Sequence, residues 1–147
     1  MIKLIVGNRA YSSWSMRGWL AVKHSGEEFE ELVVPMFDEE WEKRREGDEF
    51  APSLGKVPIL WDGDCVVWDS LAIVEFLADR HGKETYWPQD ESACGMARSM
   101  AAEMHSGFSN LRRDLPMRDV CGCERCIETL ISGEQAILFS ATEPQQL

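Results

Sequence analysis

Val57 and Pro58 have the residue types and the setting to hold the backbone of a peptide-like ligand. They lead into an apolar run that begins at Ile59 and predicts a strand. Because proline has no N–H to donate to a sheet ladder, Pro58 belongs at a strand edge or a strand start. An X-Pro bond in such a place can be cis, and we expect a cis bond here. The main chain of Val57 would then be free to pair with a ligand.

Asp69 and Ser70 open the helix that is predicted after the next apolar run, residues 65–67. Free N–H groups and the positive end of the helix dipole attract a carboxylate to a helix N-terminus. Together with Val57 and Pro58, these two residues predict a site for a peptide-like ligand with a carboxylate at one end.

Hydrophobic patterning predicts the elements that position these motifs. The apolar, β-branched run over residues 2–6 predicts a buried strand. Either Ser12 or Ser13 can cap the helix that follows, and Ser25 with the next glycine ends it. Residues 32–34 predict a second strand.

Residues 38–77 are predicted to form a charged connector, a hairpin and a helix. Residues 38–49 are highly charged and predict a solvated helix or an ordered loop, while residues 59–61 and 65–67 predict a hairpin. Apolar spacing over residues 71–77 predicts a helix packed on the sheet. The order β-α-β then β-β-α is typical of the thioredoxin-like α/β plan, a mixed four-stranded sheet with flanking helices.

The domain organisation is predicted to be a thioredoxin-like domain followed by a partial all-α domain. The first domain covers residues 1–81, and residues 82–92 form a linker with a proline. Residues 93–147 form the second domain, in which a helix from about 93 to 114 carries a repeated apolar spacing. That spacing comes from Met96, Met100, Met104, Phe108 and Leu111. After residue 117 the sequence is atypical of such a helical domain.

Charge and the N-terminal sequence limit the classes of partner. The net charge of −11 offers no basic stripe for phosphates, so neither nucleic acid nor an anionic membrane is an expected partner. The apolar run at the N-terminus is too short for a signal peptide or a membrane span. We therefore predict a cytoplasmic protein.

The five cysteines do not resemble a disulfide framework. Cys65 lies in an apolar strand pattern and is predicted to be a small buried hydrophobe. Cys121, Cys123 and Cys126 form C-x-C-x-x-C, which offers three thiolates to a soft metal. A zinc site needs four ligands and no fourth is evident, so surface thiols are the favoured reading and no metal is predicted.

Three motifs in this order resemble the cytosolic glutathione transferases, over residues 2 to about 115. The resemblance is closest to zeta-like (maleylacetoacetate isomerase-like) and related bacterial serine-type members. It is carried by Tyr11-Ser-Ser-Trp-Ser-Met-Arg17, Gly55-Lys-Val-Pro-Ile-Leu60 and Trp68-Asp-Ser-Leu-Ala-Ile73 with Glu75-Phe-Leu77.

The resemblance implies that Ser12 steadies the thiolate of glutathione, a co-substrate. A hydroxyl at a helix N-terminus favours the charged form of a thiol, because its hydrogen bond and the helix dipole both stabilise the thiolate. Ser13 is a neighbouring candidate for the same role. The alternative is that these serines only cap the helix.

The resemblance also implies which residues hold the rest of glutathione. Val57 would pair through its backbone with the cysteinyl part, next to a cis Pro58. Asp69 and Ser70 would hold the γ-glutamyl end, and Lys56 would reach a ligand carboxylate.

The reaction that the resemblance implies is addition of the glutathione thiolate to a small electrophilic substrate, in a protein that is a possible homodimer. One alternative is glutathione-dependent cis–trans isomerisation of a maleylacetoacetate-like substrate. Another is a non-catalytic module that binds glutathione or a protein, because the helical domain of the family is only partly present here.

Overall fold

The computed structural model describes residues 1–36, 39–114 and 117. The described part contains four strands and six α-helices. The strands are β1 (Ile2–Val6), β2 (Phe29–Val33), β3 (Ile59–Asp62) and β4 (Cys65–Trp68). The helices are α1 (Ser13–Ser25), α2 (Glu39–Arg44), α3 (Ser70–His81), α4 (Lys83–Tyr86), α5 (Glu91–Ser106) and α6 (Ser109–Asp114), with a 3₁₀ turn at Ala51–Ser53.

The four strands form one mixed sheet in the order β2-β1-β3-β4. Strand β1 runs parallel to β2, and β3 runs antiparallel to both β1 and β4. In the central pair, Ile5 lies opposite Ile59. This topology confirms the predicted thioredoxin-like plan of a four-stranded mixed sheet with flanking helices.

Both faces of β1 are covered, which is why residues 2–6 are apolar at every position except Lys3. Side chains alternate between the two faces of a strand, so Ile2, Leu4 and Val6 pack with α1 and α3 on one face. Ile5 packs on the other face with a smaller group that includes Trp41 and Phe50. The sheet is thereby held rigidly against α1 and α3, the two helices that carry the site.

Strand β2 begins earlier than predicted, at Phe29 rather than at residue 32. Its first half contains Glu30 and Glu31, and because these residues are polar, no apolar run indicates the start of the strand. They are tolerated because β2 is an edge strand, with one side of the ladder unpaired.

Cys65 is exposed, so the prediction that it is a buried hydrophobe is wrong. It is the first residue of β4, opposite Asp62 beside the hairpin turn. Strand β4 is the other edge of the sheet. The apolar neighbours Val67 and Val66 pack against the core clusters on opposite faces of the sheet, and this packing does not extend to Cys65 at the exposed end of the strand.

The methionine-rich helix is two helices rather than one. Helix α5 ends at Ser106, and α6 begins at Ser109. Phe108 has a φ of 61°, a left-handed conformation that a continuous α-helix cannot contain. None of the residues of α5 is buried, and Met96 and Met100 remain 66% and 63% exposed. Periodic apolar spacing therefore predicts the helices but not the break between them.

Within the described ranges, no helix has the length and apolarity needed to cross a membrane. The cysteines of the C-x-C-x-x-C motif, Cys121, Cys123 and Cys126, lie outside the residues that the structure describes.

Candidate functional site

Ser12 is the N-cap of α1, and its hydroxyl is committed to that helix. The Ser12 Oγ accepts a hydrogen bond from the Ser15 backbone N–H at 3.3 Å and donates to Ser15 Oγ at 2.9 Å. Ser15 Oγ also accepts from the Gly7 N–H at 2.9 Å, which ties the end of β1 to the start of α1. Ser12 is 8% exposed. Ser12 therefore caps α1, as one of the two predicted capping residues.

Ser13 is the first residue of α1 and is only partly buried. Its hydroxyl makes no hydrogen bond to any residue in the described part of the chain. A hydroxyl in this position can donate to a group outside the helix N-terminus, where the dipole favours negative charge. The two serines, of which the sequence favoured Ser12 with Ser13 as the neighbouring candidate, thus differ in their hydrogen bonds.

The Val57–Pro58 peptide bond is cis, as the sequence predicted. Pro58 is buried directly before β3, a strand start rather than a sheet edge. Val57 is half-buried, and its backbone N–H and C=O make no hydrogen bond within the described ranges. Lys56 is exposed, and its side chain contacts no charged partner among the described residues.

Gly18 brings α1 into direct contact with the Pro58 segment. A Cβ atom at Gly18 would lie 2.7 Å from Pro58 Cγ and 3.6 Å from Ile73 Cδ1 of α3. Glycine in a helix interior is unfavourable by about 1 kcal/mol relative to alanine. Its presence in α1 is the only sequence signal for this contact, which joins α1, α3 and the segment before β3.

Asp69 is the N-cap of α3 and has an unusual backbone conformation. Its φ is 80° and its ψ is 133°. Such a conformation costs a non-glycine residue about 1–3 kcal/mol, and residues of this kind cluster at ligand sites. Asp69 Oδ1 accepts from the backbone N–H of Leu71 at 2.9 Å and of Ala72 at 3.4 Å, which holds the conformation in place.

Ser70 carries a buried hydroxyl that has no partner. The residue is 2% exposed, and its Oγ makes no hydrogen bond to the residues that the structure describes. Buried hydroxyl groups are nearly always satisfied, because an unpaired one costs about 1–3 kcal/mol. The hydroxyl lies on the first residue of α3, where the orphan N–H groups of the helix also collect.

His105 on α5 joins this cluster, a contact that the sequence did not indicate. Its Nε2 atom lies 3.1 Å from Oδ2 of Asp69, and its Nδ1 atom is buried with no hydrogen-bond partner in the described part of the chain. The ring meets Trp14 edge-on with 5.0 Å between centroids. Since α3, α4 and most of α5 separate His105 from Asp69 in sequence, no local pattern could reveal the contact.

Two guanidinium groups lie against Trp14. The Cζ atom of Arg17 is 4.4 Å from the ring centroid, and that of Arg112 is 5.2 Å away. Burial lowers the pKa of Arg17, the nearby charge of Arg112 lowers it further, and the carboxylate of Asp69 opposes the change. Arg112 donates through Nε to the Gly107 carbonyl at 3.0 Å and also contacts the Met104 carbonyl.

The structure therefore brings the start of α1, the segment before β3 and the start of α3 together. Trp14 and His105 connect α1 to Asp69, and Gly18 connects α1 to Pro58. Chemically, the cluster offers an unengaged hydroxyl at one helix N-terminus, an unengaged buried hydroxyl at a second, and backbone groups between them.

Comparison with known proteins identifies the domain that carries this site. Residues 11–80 match the glutathione S-transferase N-terminal domain. The glutathione S-transferase class-mu 26 kDa isozyme 51 of Fasciola hepatica is 30% identical over 103 residues, which are 65% of this chain and 45% of that protein.

Solved structures agree with this match. Human glutathione-S-transferase T1-1 superposes with a TM-score of 0.57 and 27% identity, over 72% of this chain and 43% of that chain. The theta-class enzyme of Xanthomonas axonopodis pv. citri with glutathione bound has the same fold, with a TM-score of 0.61 and 23% identity over 78% of this chain and 53% of that chain. The chain spans about half the length of these relatives. Over residues 11–80, the chain is therefore similar to the N-terminal domain of the glutathione S-transferases.

Proposed function

We propose that the chain binds glutathione along the starts of α1 and α3 and the segment before β3, and adds its thiolate to a small electrophile. The observation that carries this proposal is the buried, unpartnered hydroxyl of Ser70 at the start of α3. A carboxylate at this position would accept from that hydroxyl and from the orphan N–H groups of the helix.

The γ-glutamyl end of glutathione carries both charges that this end of α3 suits. Its carboxylate fits Ser70 and the helix N-terminus, while its ammonium fits Asp69, whose side chain is 42% exposed. The backbone N–H and C=O of Val57 make no hydrogen bond to the described residues and suit the cysteinyl peptide unit. Lys56, exposed beside Val57, suits the glycyl carboxylate.

We assign the thiolate contact to Ser13 rather than to Ser12, which makes the protein a serine-type transferase. The Ser12 hydroxyl already donates to Ser15 and caps the helix. The Ser13 hydroxyl makes no hydrogen bond within the described ranges, and Ser13 is more exposed than Ser12. A hydrogen bond from Ser13 and the dipole of α1 would together lower the pKa of the bound thiol and raise the fraction of nucleophile at neutral pH.

Isomerisation of a maleylacetoacetate-like substrate, the activity of a zeta-like member, uses the same thiolate. The thiolate adds to the double bond, the remaining single bond rotates, and the thiolate leaves, so glutathione is not consumed. The paired serines at the start of α1 are compatible with this reaction. Turnover that consumes glutathione stoichiometrically would identify a transferase, and turnover that does not would identify the isomerase. Glutathione binding without either activity would leave a binding module.

By similarity to the glutathione transferases, we also expect this chain to be cytoplasmic and to form a homodimer. Light scattering of the purified chain measures the second expectation directly.

Calorimetric titration of the full chain tests the proposal. Two ligands are compared, glutathione and 4-aminobutanoyl-Cys-Gly, which lacks only the γ-glutamyl carboxylate. Ser70→Ala should weaken glutathione binding by roughly tenfold to a hundredfold, the usual loss for a hydrogen bond to a charged group. The same substitution should leave the weaker affinity for the decarboxylated ligand unchanged. No measurable binding of glutathione to the wild-type chain would refute the proposed function.

A further inference from the structure

Arg17 and Arg112 differ from most other arginines of the described chain in having no carboxylate partner. Within the described ranges, five arginines form ion pairs with Asp or Glu, namely Arg9, Arg45, Arg80, Arg98 and Arg113. Arg17 and Arg112 form none there, although both are half-buried. The chain has a net charge of −11, so carboxylates outnumber basic side chains. A shortage of carboxylates therefore does not explain why these two arginines lack an acidic partner in the described ranges.

The two side chains converge on one ring. Both guanidinium groups lie within 5.2 Å of the Trp14 centroid. The Nη2 atom of Arg17 is buried with no hydrogen-bond partner, and Arg112 donates only to neutral backbone carbonyls in the described part of the chain. The Trp14 ring therefore holds two guanidinium groups near each other. Among the described residues, no carboxylate pairs with either group to offset their mutual repulsion.

Asp69 is the carboxylate that acts on Arg17, but both of its oxygens are engaged elsewhere. Oδ1 caps α3, and Oδ2 contacts His105. The lowered pKa of Arg17 reflects this balance, because burial and Arg112 outweigh Asp69. A second negative charge between the two arginines would offset both the burial and the repulsion.

The position of this pair relates it to the proposed chemistry. Ser13 and Arg17 are four residues apart on α1 and therefore lie on the same helix face, about one turn from each other. Arg112 comes from α6, on the helical side of the site. A molecule held by both arginines would thus lie next to the sulfur that Ser13 is proposed to steady.

We propose that Arg17 and Arg112, arranged around Trp14, form a subsite for a carboxylate on the electrophilic substrate. This inference rests on the proposed function and assigns it a substrate class, small electrophiles that carry a carboxylate. The carboxylate belongs to the electrophile rather than to glutathione, because the two carboxylates of glutathione are accommodated at Ser70 and Lys56.

A matched pair of unreactive ligands tests the subsite. 3-Benzoylpropionate and its methyl ester differ in one charge, and neither contains an alkene that a thiolate can attack. Each is titrated into the full chain by calorimetry, with and without saturating glutathione. Arg17→Met, Arg112→Met and Arg17→Lys are compared with Arg113→Met, which removes a neighbouring arginine of α6 that is paired with Asp114.

The wild-type chain and Arg113→Met should bind the acid about tenfold more tightly than the ester, as expected for a charge-assisted contact. Arg17→Met and Arg112→Met should abolish this preference, and Arg17→Lys should retain part of it. Titration without glutathione keeps this result independent of whether glutathione binds. Equal affinity for acid and ester in the wild-type chain would overturn the subsite. A loss of glutathione affinity in Arg17→Met with an unchanged acid preference would overturn its assignment to the electrophile.

Discussion

His105 Nε2 lies 3.1 Å from Asp69 Oδ2, so a residue of α5 holds the carboxylate at the start of α3. The other oxygen of that carboxylate caps α3. Both oxygens of Asp69 are therefore oriented before any ligand arrives, one by its own helix and one by the helical segment. A residue of α5 thus helps to position a residue of the candidate site at the start of α3.

Loss of the His105 side chain should weaken the interaction of the Asp69 carboxylate with the ammonium group of glutathione. We expect His105→Ala to reduce glutathione affinity by several-fold, because the Asp69 side chain gains rotational freedom and must be ordered on binding. The measurement is calorimetric titration with glutathione and with glutaryl-Cys-Gly, which lacks the ammonium. Affinity for the second ligand should not change.

His24→Ala is the control for this substitution, since His24 is exposed and its polar and ring contacts among the described residues are with the Thr85 carbonyl and the ring of Tyr86. If His105→Ala weakened the binding of both ligands equally, the substitution would act on the structure of the cleft rather than on Asp69.

The two serines at the start of α1 should separate into one chemical and one structural role. Ser13→Ala should raise the pKa of the bound glutathione thiol by about one unit, which corresponds to about 1.4 kcal/mol of lost thiolate stabilisation. Glutathione affinity should change little at a pH below the thiol pKa, because the hydroxyl meets only the sulfur. The ultraviolet absorbance of the bound thiolate against pH measures this shift.

Ser12→Ala should instead lower the free energy of unfolding by about 1 kcal/mol through the loss of the helix cap. The thiol pKa should stay at its wild-type value. A thiol shift in Ser12→Ala alone would return the chemical role to Ser12, and no shift in either variant would leave both serines as structural.

Gly18 should not tolerate a side chain. Gly18→Ala places a Cβ atom 2.7 Å from Pro58 Cγ, and relief of that overlap must push α1 away from the segment before β3. We expect a loss of about 1–3 kcal/mol in the free energy of unfolding, as for other overpacked cores. Urea denaturation followed by circular dichroism provides the value.

Gly95→Ala is the matched control, because Gly95 is also inside a helix and a Cβ there would meet nothing within 4 Å. It should be neutral or stabilising by up to about 1 kcal/mol, the helix preference for alanine over glycine. Equal effects of the two substitutions would show that α1 does not pack tightly on Pro58.

The ion pair between Arg80 and Asp62 should contribute to the acid dependence of stability. A hydrogen bond from Arg80, at 2.6 Å, lowers the pKa of Asp62 below its ordinary value of 3.8. Since the folded pKa is the lower one, the stabilisation is complete above the unfolded value and is lost as the pH falls through the folded value. Arg80→Met should therefore reduce stability at neutral pH and flatten its decline below pH 3.8.

Urea denaturation at several pH values measures this effect, with Asp62→Asn as the second variant. Asp62→Asn should remove the same portion of the acid dependence. A wild-type acid profile in both variants would contradict the assignment.

Much of the fold and part of the site were predictable from residues that are close in sequence. The hairpin, the helix that starts at Ser70 and the cis bond before β3 all follow from turn residues, apolar spacing and a proline. These features depend on local backbone preferences, which is why short motifs suffice to predict them. The edge strand β2 was only partly predicted, because an exposed edge does not require an apolar run.

What only the tertiary structure decided is how those local pieces are used. The sequence alone determined the sheet plan, the helix starts and the candidate residues Ser12, Ser13, Asp69 and Ser70. It did not determine which serine is free, because that depends on the hydrogen bonds of Ser15 to Gly7 and Ser12. Nor did it reveal His105 beside Asp69 or two arginines around Trp14. These contacts join helices far apart in the chain, and packing brings them together rather than any local preference.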